Sequence, residues 1–260
     1  MTVRGCVLAA GLTLAFASPA LAEVKTRVVD YKQGDTELQG LIAWDDQSTG
    51  KRPGIIVVHE WWGHNEHART QARRLAEAGY VGFALDMYGK GKVAAHPDDA
   101  MKFMGEATKD PAVVKARFDA AVAELKADPH VDPTKIGAIG YCFGGGVVLN
   151  MAAAGEDLKA VASFHGALSA VGPVAPGAIK GKVLVMTGGA DPFVPPDQVE
   201  AFKKKMTDAG ARYEVVVIPG AMHGFTNPDA GKFGMPQLAY SAEADKASWT
   251  DLLAMLKSAF

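Results

Sequence analysis

The chain has 260 residues, of which 48% are hydrophobic and 22% are charged, and its formal net charge is −2. This composition is typical of a globular protein, and a chain of this length can bury a large core without disulfides or metals. The 29 glycines and 14 prolines stay below the roughly 25–30% of low-complexity chains, which excludes collagen-like and disordered classes. The near-neutral charge gives no basis for a nucleic-acid partner or a polybasic membrane contact.

The first 22 residues have the pattern of a secretory signal peptide. Arg4 supplies a positive start, residues 7–17 are mostly apolar, and residues 20–22 (ALA) form an A-x-A cleavage signature. The apolar stretch is too short to span a bilayer. A buried N-terminal helix is the alternative, but the segment has no polar face. We therefore expect an exported protein with no membrane anchor, whose mature part is one domain at 23–260.

Strand and helix patterns alternate through the rest of the chain. Alternation of polar and apolar residues predicts a strand at 36–44. Short apolar runs predict further strands at 55–58, 81–85, 136–139, 160–164, 183–187 and 213–218. Helical periodicity predicts helices at 65–78, 97–104, 112–125, 143–154, 196–209 and 242–258. This rhythm is typical of a mostly parallel sheet with helices on both faces. The sites of such folds lie beyond the carboxyl ends of the strands.

The segment 140–146 (GYCFGGG) connects a predicted strand to a predicted helix. It matches the nucleophile-elbow pattern G-x-S-x-G with cysteine in place of serine. Such a turn would place the thiol of Cys142 at a helix N-terminus, which favours thiolate, and would aim the amide of Phe143 at a developing oxyanion. Loss of the signal peptide would leave Cys142 as the one cysteine, so it is either a buried inert thiol or a reactive one. We predict that it is the nucleophile.

Two further residues stand just past the ends of predicted strands. Asp191 follows strand 183–187 and His223 follows strand 213–218. This is the order, nucleophile then acid then histidine, that α/β-hydrolases use. Taken singly, the Asp-Pro pair could only start a turn, and the histidine could be an ordinary loop residue. Together they predict that His223 accepts the thiol proton and that Asp191 orients His223.

The predicted strand 55–58 ends in the segment 59–67 (HEWWGHNEH), which raises the alternative of a zinc site. The first two histidines are one position too far apart for H-E-x-x-H and a glycine interrupts them, so no metal is predicted. In the α/β-hydrolase fold this loop supplies the second oxyanion amide, here that of Trp61. The side chains of Trp61 and Trp62 would line a pocket, or else pack in the core.

These segments resemble the dienelactone hydrolase family, an α/β-hydrolase branch with a Cys-His-Asp triad. The resemblance covers nearly all of the expected mature chain. It rests on 59–63 (HEWWG), 86–88 (DMY), 140–145 (GYCFGG), 191–192 (DP) and 223–225 (HGF). It implies a single-domain α/β-hydrolase fold with a mostly parallel central sheet.

The resemblance implies the same roles for Cys142, His223 and Asp191 as their positions predict, and its oxyanion amides match those named above. It adds a role for Glu60, since the family's glutamate contacts the resting thiol and helps to deprotonate it when substrate arrives. From the residues alone, Glu60 is only a carboxylate near the site.

The chain departs from the family where well-studied members bind a substrate carboxylate with two arginines. Lys90 follows the Asp-x-Tyr segment, and Asn227 stands four positions after the catalytic histidine. Lys90 could pair with a carboxylate only as a point charge. The aromatic residues nearby suit an apolar or neutral ester or lactone. The candidate substrate-binding residues are Trp62, Lys90, Phe193 and Phe225.

The sequence thus predicts an exported thiol hydrolase that cleaves an ester or lactone through an acyl-enzyme on Cys142. No metal or organic cofactor is implied, the expected partner is a small-molecule substrate, and a monomer is the default. A non-catalytic binding module on a hydrolase fold is the main alternative. A peroxide-sensing thiol protein is another, although it would depend on an outside thiol.

Overall fold

The computed structural model describes residues 23–260, so the expected signal peptide at 1–22 lies outside the described residues. The strands are β1 (Val24–Gln33), β2 (Thr36–Asp45), β3 (Arg52–Val58), β4 (Val81–Ala84), β5 (Val131–Tyr141), β6 (Ala160–Phe164), β7 (Lys182–Gly188) and β8 (Arg212–Ile218). The helices are α1 (Glu66–Glu77), α2 (Pro97–Thr108), α3 (Pro111–Ala127), α4 (Phe143–Ala153), α5 (Pro196–Asp208) and α6 (Ala242–Ala259). Short 3₁₀ turns occur at Leu168–Ala170 and Ala230–Phe233.

The strands of the described chain form one sheet in the order β1-β2-β4-β3-β5-β6-β7-β8. Strand β2 is antiparallel to both β1 and β4, whereas all strands from β4 across to β8 pair in parallel. The predicted α/β architecture with a mostly parallel sheet is therefore confirmed. The sequence analysis missed β1, because this edge strand buries only Val29 and Tyr31 and its other side chains are mostly polar and exposed.

Helices cover both faces of the sheet and enclose two apolar layers. Helices α3, α4 and α5 pack on one face, with Phe118, Val148 and Phe202 among the buried side chains. Helices α1 and α6 pack on the other face, where Leu75 and Leu252 are fully buried. None of the helices in the described part of the chain is both long and apolar enough to cross a membrane.

Local sequence signals explain where the helices begin. The side chains of Asn65, Asp110 and Ser241 accept hydrogen bonds from backbone amides in the first turns of α1, α3 and α6, which is the usual N-cap arrangement. Proline stands in the first turn of α2, α3 and α5, where its missing amide hydrogen costs nothing. Helix α1 ends before Gly79, which has a φ of +87° that favours glycine.

The register of the central strands brings the predicted site residues to one edge. Val58 pairs with Gly140, and Tyr141 pairs with Phe164, so β3, β5 and β6 end side by side. Strands β7 and β8 continue the same parallel array. The residues that follow these strands therefore meet above the carboxyl edge of the sheet, as the general rule for such sheets predicts.

Candidate active site

Cys142 lies in a strained turn between β5 and α4. Its φ of 52° and ψ of −115° fall outside the regions that non-glycine residues usually occupy. The backbone around this turn is closely packed against neighbouring backbone atoms. A Cβ at Gly140 would lie 2.1 Å from the carbonyl oxygen of Gly144, and one at Gly144 would lie 2.3 Å from that of Val58. The glycines of the predicted elbow are thus required by close backbone contact, and strain of this kind clusters at functional sites.

His223 and Asp191 form a buried pair on the loops after β8 and β7. The Nδ1 atom of His223 lies 2.8 Å from Oδ2 of Asp191, while Oδ1 of Asp191 accepts a hydrogen bond from the amide of Phe193 at 2.8 Å. The side chain of Asp191 is fully buried and that of His223 is 8% exposed. Because both oxygens of the Asp191 carboxylate have hydrogen-bond partners, the imidazole of His223 is fixed through Nδ1, and its Nε2 is not bound by Asp191.

The electrostatics of His223 depend on Cys142 as well as on Asp191. Burial by itself would lower the pKa of His223, but the charge of the Cys142 thiolate and hydrogen bonds to Asp191 and Cys142 outweigh it and raise the pKa to about 10. A histidine with such a pKa holds its proton at neutral pH when the cysteine is a thiolate. The arrangement can therefore store the thiol proton on the imidazole.

Glu60 lies in the same buried region, on the loop after β3. Its Oε2 accepts a hydrogen bond of 2.6 Å from Nδ2 of Asn227 and lies 3.6 Å from Nδ1 of His67 in α1. The side chains of Glu60 and His67 are each 5% exposed. Asn227 thus binds the carboxylate through a neutral donor. The amide also anchors its own loop, because its Oδ1 accepts from the backbone of Asp229 at 2.9 Å.

The two amides predicted for an oxyanion hole belong to Trp61 and Phe143. Phe143 is the first residue of α4, so its amide has no partner within the helix. The carbonyl oxygen of Trp61 accepts a hydrogen bond of 3.1 Å from the hydroxyl of Tyr88, which anchors this loop above the sheet. The rings of Tyr88 and Phe143 lie 5.6 Å apart.

The histidines of the segment 59–67 point in different directions. Nε2 of His59 accepts from the amide of Met87 at 3.1 Å, whereas His67 faces Glu60. His64 is buried, which lowers its pKa to about 3. Across residues 23–260, no three side chains of His, Cys, Asp or Glu are grouped in a way that could hold a metal ion.

The four candidate substrate-binding residues are not brought together. Phe193 is 44% exposed and its ring meets that of His223 edge to face at 5.0 Å. Trp62 is 1% exposed and stacks on Phe233 at 3.7 Å, and Phe225 is fully buried, so neither has surface to offer a substrate. Lys90 forms an ion pair with Asp30 of β1 at 2.9 Å. Of the four, Phe193 is the residue that combines exposure with contact to the triad.

The sequence analysis overlooked His165, which directly follows β6. It is one of two non-glycine residues with positive φ among residues 23–260, at 39°, the other being Cys142. Its Nε2 lies 2.9 Å from the hydroxyl of Thr226, and its ring meets that of His223 at 5.1 Å. Burial holds its pKa well below the usual range, so it packs as a neutral ring. Its place immediately after the predicted strand 160–164 was the signal that could have identified it.

Comparison with known proteins agrees with this architecture. The family model for the dienelactone hydrolase family matches residues 38–260. A putative carboxymethylenebutenolidase of Yersinia pestis is 32% identical, covering 85% of this chain and 83% of its own. The protein usf of Aquifex pyrophilus is 32% identical, covering 77% of this chain and 87% of its own.

Solved structures point the same way. The crystal structure of a dienelactone hydrolase-like promiscuous phosphotriesterase from metagenomic libraries is similar with a TM-score of 0.84 and 35% identity, covering 91% of this chain and 99% of its own. The family match extends over most of the described chain, and the sheet order and helical layers are those of an α/β-hydrolase. The chain belongs to the dienelactone hydrolase family and is a hydrolase that acts on ester or lactone bonds.

Proposed function

We propose that this protein is an exported thiol hydrolase that cleaves an uncharged carboxylic ester or lactone through an acyl-enzyme on Cys142. The observation that carries the proposal is the alignment of Asp191, His223 and the strained Cys142 at the carboxyl edge of the sheet. A nucleophile, an orienting carboxylate and a histidine base, in this chain order, form a constellation used for acyl transfer.

In the first half of the reaction, His223 takes the proton of the Cys142 thiol and the sulfur attacks the carbonyl carbon of the substrate. The carbonyl electron pair moves to its oxygen, which the amides of Trp61 and Phe143 stabilise. One such donor is typically worth about 3–4 kcal/mol in the transition state. The tetrahedral intermediate collapses, the carbon–oxygen bond to the alcohol breaks, and His223 returns the proton to that oxygen. A thioester remains on Cys142.

In the second half, His223 removes a proton from a water molecule, whose oxygen attacks the thioester carbonyl. The carbon–sulfur bond breaks, the carboxylic acid leaves, and the Cys142 thiolate remains beside the protonated His223, ready for the next turnover. Asp191 keeps the imidazole in the required tautomer through both halves. His165 packs against the His223 ring and is proposed to limit its movement.

Glu60 is proposed to assist the deprotonation of the Cys142 thiol, as the resemblance to the family implies. The neutral contact from Asn227 supports an uncharged substrate, because it leaves no guanidinium at that position to pair with a substrate carboxylate. Lys90, the other candidate for such pairing, is engaged by Asp30.

The test is hydrolysis of p-nitrophenyl acetate by residues 23–260, with Cys142→Ala and Cys142→Ser as matched variants. We expect activity in the parent protein, none above background in Cys142→Ala, and one added acyl group on the Cys142 peptide when turnover is quenched in acid. Equal rates for the parent and Cys142→Ala in the presence of reductant would refute the mechanism and favour a binding module.

Export is tested separately. The full-length gene is expressed in a bacterium that has a periplasm, and the N-terminus of the recovered protein is sequenced. We expect a periplasmic protein that begins at Glu23. Recovery of a cytoplasmic protein that still carries residues 1–22 would refute export without affecting the proposed chemistry.

A further inference from the structure

An apolar groove runs along α4 and is lined by Phe143, the residue that follows the proposed nucleophile in the chain. Its volume is about 910 Å³, within the range of about 300–1,000 Å³ that is usual for small-molecule sites. Phe143, Val147 and Met151 of α4 line its length, with Val114 of α3 on one side and Ala167 on the other. The 11 residues of α4 give the groove a length of roughly 16 Å at 1.5 Å per residue.

The polar groups that line the groove are already occupied by the protein. Nδ2 of Asn150 donates to the carbonyl oxygens of Gly146 and Ala170 at 2.9 and 3.0 Å, and its Oδ1 accepts from the amide of Gly172 at 3.0 Å. This amide therefore fastens the 170–172 loop to α4 and has no donor left for a ligand.

The other two polar side chains in the lining are engaged in the same way. The ammonium of Lys115 binds the carboxylates of Asp119 and Glu156. The hydroxyl of Thr108 donates to the carbonyl oxygen of Met104 at 2.8 Å. An occupant that carried charge would have to break one of these pairs, whereas a hydrocarbon would not. The lining thus favours an uncharged apolar ligand.

The groove and the proposed reaction site share one residue, Phe143. Phe143 directly follows Cys142, supplies the proposed oxyanion amide and is one of the residues that line the groove. An acyl chain on the sulfur of Cys142 would have to run past Phe143 to reach the groove. The acyl part of an ester stays bonded to Cys142 through both halves of the reaction, so its contacts with the groove persist throughout.

We propose that this groove binds the hydrocarbon acyl chain of the substrate, which makes esters of medium-chain carboxylic acids the preferred substrate class. The proposal rests on the proposed acyl transfer at Cys142 and adds a preference for the length of the acyl chain. Each methylene of the acyl chain that moves fully from water into an apolar site raises kcat/KM about fourfold. From butyrate to octanoate we expect a rise of at least about tenfold, since a groove open to solvent buries each methylene only in part.

The experiment compares kcat/KM for p-nitrophenyl acetate, butyrate, hexanoate and octanoate, all below their solubility limits. Ala153→Trp, at the lower end of α4, and Ala112→Trp, on the α3 side, each place a bulky ring in the groove. We expect either substitution to bring the octanoate-to-butyrate ratio close to one. Ala247→Trp is the matched control, because Ala247 is exposed on α6 at the opposite face of the sheet, and it should leave the ratio unchanged.

The outcomes separate this proposal from the one on which it rests. Cys142-dependent acetate hydrolysis with a flat chain-length series would overturn the groove assignment and leave the acyl-transfer mechanism standing. Absence of any Cys142-dependent hydrolysis would refute the mechanism itself. Sedimentation velocity tests whether a second copy of the protein, rather than an acyl chain, occupies the groove. If the protein is a dimer that both groove variants dissociate, and the octanoate-to-butyrate ratio is unchanged, the assignment is also overturned. Circular dichroism confirms that each variant is folded.

Discussion

Replacement of Asn227 by leucine tests the polar cluster around Glu60 quantitatively. Asn227 is 2% exposed and donates to the Glu60 carboxylate at 2.6 Å. A hydrogen bond to a charged group contributes about 1.5–3 kcal/mol, and the lost acceptor for the Asp229 amide adds about 0.5–1.5 kcal/mol. We expect Asn227→Leu to lower the free energy of unfolding by about 2–4 kcal/mol, which for a domain of this size corresponds to a Tm decrease of about 5–15 °C.

The assay is a double-mutant cycle in urea with Glu60→Gln. Removal of the charge should make the loss of Asn227 less damaging, so the coupling energy should be at least about 1 kcal/mol. Asn227→Asp is a second comparison, because it keeps an acceptor for the Asp229 amide but sets a like charge against Glu60. It should be no more stable than Asn227→Leu. A coupling energy below about 0.5 kcal/mol, the limit for independent sites, would refute the assignment of Asn227 as the anchor of Glu60.

Three further predictions concern the elbow and the triad. In Cys142→Ala the pKa of His223, followed by NMR of the imidazole, should fall from about 10 towards or below the usual value of about 6.5, because burial is then opposed by Asp191 alone; an unchanged pKa would contradict the thiolate–imidazolium pair. Gly144→Ala should destabilise the fold by more than about 3 kcal/mol, since its Cβ would meet a backbone oxygen at 2.3 Å. Gly146→Ala, whose nearest contact is 3.4 Å, is the matched control, and similar Tm values for both variants would contradict the packing argument. Asp191→Asn should reduce kcat by about 10⁴, as the loss of the orienting carboxylate does in serine enzymes; a reduction below tenfold in steady-state assays would exclude that role.

The alternation of strands and helices and the edge expected to carry the site were accessible from the sequence. A buried parallel strand is a continuous apolar run with a glycine or proline at its end, and the residues after such runs must share one edge. Cys142, Asp191 and His223 each follow such a run, so their meeting at one edge could be predicted from the sequence. The same reasoning applies to His165, which follows β6 in the same way, but a single histidine in a common loop carries no motif to mark it.

Residues whose function depends on neighbours distant in sequence were harder to predict. The sequence shows two tryptophans beside the site, yet only packing against Phe233 reveals that Trp62 is buried. In the same way, Lys90 is paired with Asp30, which is 60 positions away in the chain. The contact between Asn227 and Glu60 could not be inferred from a missing arginine alone. In each case a side chain's partner is decided by tertiary contacts that local pattern does not encode.

The hydrogen bond between Glu60 and Asn227 joins residues 167 positions apart, and this has a consequence for the time course of folding. Closure of such a long loop is entropically unfavourable until the intervening strands have paired. We therefore expect esterase activity to return after most of the circular dichroism signal when the denatured chain is diluted into buffer. Catalytic activity would then report completion of the whole sheet, whereas helix content would report only its local segments.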